Sequence, residues 1–232
     1  MHILLTRPLG DCSDLIIKFK KLGHSVSHLP LIKIKKIEYG EINFNDFSAI
    51  IFTSSNSIKN LKLDNINKTL KCFCVGSSTE KLARASGFQN VIAADGNVRA
   101  LKELILRNHD KKDGKILYVS GELITSNLEE ELRKEGYEII RIINYSVEHN
   151  DEIKEDLIEE LKKNIPDIVY VYSENSSKSF LNIIKKYQLI DSWMNTNLMC
   201  IGEKTSSVLN EVKWKKIFLF SPGEEEFLLY KV

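Results

Sequence analysis

The residues with the most chemical potential lie in short polar turns, each of which follows an apolar run. They are Thr53-Ser54-Ser55-Asn56-Ser57, Gly76-Ser77-Ser78-Thr79, Ser120-Gly121, Ser173-Glu174-Asn175-Ser176-Ser177 and Gly202-Glu203-Lys204-Thr205. Each reads as the place where a strand gives way to a helix. A helix N-terminus carries N–H groups without intrahelical partners and the positive end of the dipole, so it attracts anions. Any one of these turns is equally an ordinary N-cap, because Ser, Thr and Asn are the usual capping residues. Their repetition with glycine in both halves points instead to a site for an extended ligand bearing several negative charges. Glu122, Glu174 and Glu203 stand at three of the junctions and oppose a bound carboxylate, while Arg7, Lys59, Lys178 and Lys204 are near enough in sequence to compensate. Such a site would rely on backbone donors more than on a cationic field.

Other chemistry is thinly represented. There is no G-x-G-x-x-G, Walker phosphate loop, H-E-x-x-H or G-x-S-x-G elbow in the chain. His2, His24, His28, His109 and His149 follow no metal spacing. Cys72 and Cys74 form a C-x-C pair with no second pair or nearby histidine, so a zinc site is not indicated. Two apart on a strand, they share a face and read as core. Paired acids such as Glu129–Glu131 and Glu159–Glu160 belong to lysine-rich helical surfaces. The usual catalytic constellations are therefore missing.

Composition narrows the class further. The 232 residues are 43% hydrophobic, enough for a packed core, and 33 basic side chains nearly balance 32 acidic ones. A net charge of +1 argues against a dedicated nucleic-acid binder. The longest apolar runs, such as Ala49–Phe52 and Ile168–Tyr172, are too short to span a bilayer. The opening Met-His-Ile-Leu-Leu reads as a first strand rather than an export signal, so a cytoplasmic location with reduced cysteines is expected.

The elements that must hold the polar turns are short β-branched runs alternating with amphipathic helices. Strand candidates are Ile3–Thr6, Ser25–Leu29, Ala49–Thr53, Cys72–Val75, Val91–Ala93, Lys115–Val119, Glu138–Ile143, Asp167–Tyr172, Leu198–Ile201 and Ile217–Phe220. Most lack polar alternation, as expected of parallel strands covered on both faces. Helix patterns include Asn127–Lys134, Ile153–Lys163, Lys178–Lys186, Thr205–Val212 and a short last helix opened by Glu224–Glu226. The order strand, helix, strand, linker, strand-S-x-N-S-helix, strand-G-x-x-T-helix occurs twice, which suggests a break near Asp113–Gly114. Two similar α/β domains follow, each with a five-stranded, mainly parallel sheet flanked by helices, and the cleft between two domains is the default ligand site.

Taken in order, the motifs are Leu5-Thr6-Arg7-Pro8, Leu29-Pro30-Leu31, Ile51-Phe52-Thr53-Ser54-x-Asn56-Ser57, Val75-Gly76-x-x-Thr79, Asn144-Tyr145-x-Val147, Tyr172-Ser173 and Ile201-Gly202-x-x-Thr205. In order, spacing and repeat phase, the chain resembles the uroporphyrinogen-III synthase family along essentially its whole length. The resemblance implies that residues 1–34 form one domain with 149–232, that 39–144 form the other, and that 35–38 and 145–148 connect them as a two-strand ladder. The alternation in Ile32-Lys33-Ile34-Lys35 and Asn144-Tyr145-Ser146-Val147 suits such connecting strands.

It further implies a cofactor-independent lyase. Hydroxymethylbilane, a linear tetrapyrrole with eight carboxylates, would lose water and cyclise to uroporphyrinogen III. The last ring would invert through a spiro intermediate. Tyr145 matches the family's cleft tyrosine and becomes the candidate donor to the departing hydroxyl. Thr79 and Thr205 match the threonines expected to bond substrate carboxylates or orient a helix end. Thr53, Ser54, Asn56, Gly76, Ser120, Gly121, Ser173, Ser176 and Gly202 would add contacts, and Arg7 an ion pair or a structural one. Position 56 is Asn where some members carry a basic residue. A small-molecule substrate is expected, with no nucleic acid and no membrane. Monomer is the default, and a transient hand-over from the bilane-producing enzyme is compatible with the scheme. The competing readings are a non-catalytic two-domain binder of an anionic small molecule, a degenerate synthase, and a two-domain glycosyltransferase, for which the chain is short.

Overall fold

The computed structural model describes residues 1–64, 66–124, 126–150, 152–221, 223–226 and 229. The short helix expected near the C-terminus falls largely outside them, and Glu225 and Glu226 lie in a turn. The chain divides into two compact units, Met1–Lys33 with Glu148–Val232, and Ile34–Val147.

The first unit opens with β1 (His2–Leu5), α1 (Leu9–Lys21) and β2 (Ser25–His28). The chain crosses in β3 (Ile32–Lys36) and enters the second unit through β4 (Phe47–Phe52), α2 (Ser55–Lys59), β5 (Lys71–Cys74), α3 (Ser77–Ala85) and β6 (Asn90–Ala93). There follow α4 (Val98–Asn108), β7 (Lys115–Gly121), α5 (Leu128–Lys134) and β8 (Ile139–His149), which crosses back. The first unit is completed by α6 (Glu155–Lys163), β9 (Ile168–Val171), α7 (Glu174–Lys186), β10 (Asn197–Cys200), α8 (Glu203–Ser207) and β11 (Lys216–Leu219).

In the first unit the strand order is β11-β10-β9-β1-β2, with every neighbouring pair parallel. The pleat sends alternate residues to opposite faces. Leu4, Val169 and Leu198 therefore join Phe180 and Trp193 on one face, while Ile3, Leu5, Tyr170 and Met199 join Phe19 on the other. All four residues of β1, β9 and β10 are buried, which explains their unbroken apolar runs.

In the second unit the order is β3-β8-β7-β4-β5-β6. The pairs β7–β8, β7–β4, β4–β5 and β5–β6 are parallel. This sheet counts six strands rather than the expected five because β3 pairs beside β8. Ile37 N–H donates to the Asn144 carbonyl at 3.0 Å and Asn150 N–H to that of Leu31 at 2.9 Å. One index falls as the other rises, so β3 and β8 run antiparallel. Ile50, Phe52, Leu117 and Val119 face one apolar cluster, and Ala49, Ile51, Phe73 and Tyr118 the other. Cys72 and Cys74 share the first of these clusters, their sulfurs 3.9 Å apart, and all four cysteines are free and buried. The hydrogen bond with Cys74, reinforced by burial, pushes the Cys72 thiol far above its ordinary pKa, and burial pushes Cys200 up to about 12. Neither thiol is poised as a nucleophile.

Three glycines close helices in the left-handed region that favours glycine: Gly23 after α1, at φ +82°, Gly87 after α3, at φ +94°, and Gly136 after α5, at φ +90°. Each is followed within a few residues by a strand. No helix among the described residues is long and apolar enough to cross a membrane.

Candidate functional site

In the second unit the polar turns stand at the carboxyl ends of parallel strands, where open α/β sheets bind ligands. Ser54 takes an extended conformation at the head of α2, and its hydroxyl accepts from Asn56 N–H at 3.2 Å. Gly76 plays the same part for α3 with no side chain to cap it, and Thr79 lies buried in that helix's first turn. Gly76 is extended, and a Cβ there would meet Gly96 Cα at 3.4 Å, so the two loops pass close together.

Around the end of β7 these pieces converge. Thr53, Ser54, Tyr118, Gly121 and Tyr145 line a cavity of about 170 Å³, with Val98 and the exposed Leu123 among its apolar walls. The Tyr145 phenol lies directly over Gly121: a Cβ on that glycine would stand 2.7 Å from Tyr145 Cζ and 2.9 Å from its hydroxyl oxygen. Only glycine leaves room for the ring. Thr53 Oγ1 and the Tyr118 hydroxyl are 3.3 Å apart, and burial raises the Tyr118 pKa above its ordinary value. Tyr118 and Thr53 thus form a neutral hydrogen-bonding pair. Ser120 is wholly buried. Its hydroxyl donates to the Gly121 carbonyl at 3.0 Å and accepts from Arg141 Nε at 2.7 Å.

The first unit repeats the turns in a different setting. Ser173 caps α7 by accepting from Ser176 N–H at 3.1 Å, and the two hydroxyl oxygens are 2.9 Å apart. Thr205 is buried and donates to the Ile201 carbonyl at 2.8 Å, while Ser177 donates to the Thr205 carbonyl at 2.7 Å and ties α7 to α8. Gly202 heads α8 at φ +76°, in the left-handed region. Arg7 has its guanidinium 4.6 Å from the centre of the Tyr172 ring and 4.0 Å from a Glu225 carboxylate oxygen. The Tyr172 hydroxyl is buried without a hydrogen-bond partner, and burial, with Glu225 nearby, holds it protonated far above the usual range.

The predicted residues therefore fall into two sets. Thr53, Ser54, Gly121 and Tyr145 meet at one cavity, with Ser120 beneath it. Ser173, Ser176, Gly202, Thr205 and Arg7 lie at strand ends of the other unit. Asn56, Gly76 and Thr79 sit at helix starts beside the first set without lining that cavity. Tyr118, Arg141 and Glu225 were not singled out by sequence. Tyr118 reads as one more apolar residue of a buried strand, Arg141 as an ordinary charge and Glu225 as a helix-opening acid; only pairing and packing reveal their contacts. Among the described residues no three His, Cys, Asp or Glu side chains gather closely enough to hold a metal ion.

A family model described as uroporphyrinogen-III synthase HemD matches residues 13–221. Among solved structures the chain is similar to the uroporphyrinogen-III synthetase of Helicobacter pylori, with 17% identity and a TM-score of 0.63, over 100% of this chain and 99% of that one. It is also similar to a mutant uroporphyrinogen III synthase of Thermus thermophilus, with 13% identity and a TM-score of 0.56, over 100% and 97% of the two chains. At these identities the likeness is one of fold. A search of curated proteins finds no match.

Proposed function

The chain belongs to the uroporphyrinogen-III synthase family, and from that premise we propose that it closes hydroxymethylbilane to uroporphyrinogen III with Tyr145 as the donor to the departing hydroxyl. The observation that carries this reading is the Tyr145 phenol, seated on Gly121 at a cavity it shares with Thr53, Ser54 and Tyr118. A neutral phenol can hand its proton to the hydroxyl as the carbon–oxygen bond breaks, so that water leaves. The carbon left behind becomes part of an azafulvenium cation, whose charge the pyrrole nitrogen shares. A tyrosinate formed beside that cation would be stabilised by its charge.

The remaining task is geometric. The terminal ring must be attacked at its substituted carbon, through a spiro intermediate, before the unguided bilane closes to the symmetric isomer. Holding the two ends of a flexible chain converts this into a contest of positions, which binding energy can decide. Carboxylates along the bilane would meet backbone N–H groups at the turns Thr53–Ser57 and Gly76–Thr79, and the turns Ser173–Ser177 and Gly202–Thr205 of the first unit carry donors of the same kind. An ionised carboxylate only accepts, so the Ser54 and Ser173 hydroxyls would donate to it while still accepting from their helices. Arg7, paired with Glu225, contributes by orienting Tyr172 and the end of β1. A cytoplasmic site of action and direct hand-over from the bilane-producing enzyme fit a substrate that closes wrongly when left free.

The test is an assay with freshly generated hydroxymethylbilane, followed by oxidation and separation of the type I and type III uroporphyrins. Type III in excess of the enzyme-free control is expected. Type I alone from folded protein would overturn the proposal.

A further inference from the structure

Strand β8 changes register at the point where it delivers Tyr145. Its pairing with β7 runs residue for residue from Ile116 with Ile139 to Ser120 with Ile143, and then Gly121 pairs with Tyr145. In unbroken register the place opposite Gly121 would belong to Asn144. A one-residue insertion re-aims every side chain beyond it, and such bulges are concentrated next to active sites. Here the insertion hands the seat over Gly121 to Tyr145.

Two side chains hold that irregularity. Asn144, the inserted residue, is completely buried, and its Nδ2 donates to the Ser57 carbonyl at 2.7 Å. The bulge is thereby tied to α2 and to the Thr53–Ser57 turn. Its Oδ1 is buried without a partner, so the amide is not there to complete a hydrogen-bond network. Arg141 closes the other side. Its Nε donates to Ser120 Oγ at 2.7 Å, and its Nη2 donates to the carbonyls of Gly121 at 2.7 Å and Glu122 at 3.1 Å. One rigid fork thus grips the last two residues of β7 and the residue that follows, at the glycine beneath the phenol. Glu122 N–H in turn donates to the Tyr145 carbonyl at 2.9 Å.

We propose that Arg141 and Asn144 are positioning residues for the cyclisation: they fix the register shift that sets the Tyr145 phenol on Gly121. The inference rests on the reading of Tyr145 as the proton donor. Lysine cannot replace the arginine, because its ammonium is a point charge without a planar fork.

A double-mutant cycle tests this, with kcat and KM for type III formation measured on wild type, Arg141→Lys, Tyr145→Phe and the double variant. If Arg141 acts through Tyr145, Arg141→Lys lowers kcat by about tenfold with KM changed less than about twofold, yet costs less than about twofold once Tyr145 is Phe. A merely structural role would lower the melting temperature while leaving kcat of the folded protein intact. Equal losses in both backgrounds, or full turnover in Arg141→Lys, would overturn the inference while Tyr145→Phe still showed its own defect. Wild-type turnover in Tyr145→Phe would instead remove the reading on which the inference rests. Should Arg141→Lys not fold, Ser120→Ala takes away one of the three acceptors, keeps the arginine and carries the same cycle.

Discussion

In the second unit the turn after β4 borders an open cavity that Tyr145 also lines, with Thr53 hydrogen-bonded to Tyr118 in its wall. In the first unit the corresponding turn follows Tyr172, whose ring is covered by Arg7 and meets Tyr170 and Phe220 in an aromatic cluster. Both turns are capped by a serine that accepts from its own helix, at Ser54 and at Ser173. The repeated residues thus reproduce the anion-suited turn without reproducing its neighbours. One unit places its tyrosine at a cavity, and the other locks its tyrosine into packing. On the proposed mechanism, the chemistry would belong to the unit whose β8 shifts register.

The sharpest way to break this comparison is to remove the two hydroxyls separately. Tyr145→Phe is expected to lower turnover roughly 100-fold, a typical loss for a general acid, with KM changed less than about threefold. Tyr172→Phe should leave turnover unchanged and stability equal or slightly higher, because the hydroxyl it removes is buried without a partner. Similar rate losses in the two variants, measured by type III formation, would mean that both units do chemistry.

Next in size is Gly121→Ala. The new Cβ would stand 2.7 Å from Tyr145 Cζ, so the phenol must move. A destabilisation of about 1–3 kcal/mol by urea unfolding is expected from overpacking, together with a fall in turnover.

The paired glycines sharpen the contrast further. Gly202→Ala forces a Cβ into a left-handed conformation, for about 1–2 kcal/mol. Gly76→Ala, in extended backbone, meets only a 3.4 Å contact with Gly96 and should cost well under half as much. Equal shifts in unfolding midpoint would show that the two G-x-x-T turns are equivalent after all.

The smallest effect concerns acid. His109, buried in the second unit, has its pKa held below the ordinary histidine value by burial, so the unfolded chain takes up its proton first. Stability from this group is therefore complete above the unfolded value near ~6.5 and is lost as pH falls below it. His109→Gln should flatten the decline in melting temperature between about pH 7 and about pH 5. An unchanged slope would place the acid sensitivity elsewhere.

Much of the scaffold is legible along the chain. All ten strand candidates are strands, each within two residues of its expected ends apart from β8, which runs on to His149. The alternation in Ile32-Lys33-Ile34-Lys35 becomes β3. Helix starts are less exact for a local reason: α7 begins at Glu174, four residues ahead of the apolar pattern, because Ser173 caps it. The helix expected over Thr205–Val212 is instead α8, Glu203–Ser207, after which the chain turns and still buries Val212. The candidate site is legible only in part. Tyr145, Thr53, Ser54 and Gly121 stand out by type and motif, whereas Tyr118 and Arg141 acquire meaning only from the strand beside them.

What the sequence determined by itself is what depends on near neighbours: apolar period, serine caps, glycine ends and the repeated turns. These follow from steric and hydrogen-bonding preferences a few residues long. What only the tertiary structure decided is which residue of β8 stands against Gly121. Register between β7 and β8 depends on contacts between residues far apart along the chain, from Arg141 to Ser120 and from Asn144 to Ser57. A shift of one residue there exchanges a buried amide for a phenol, and no local preference along β8 records which of the two the partner strand will accept.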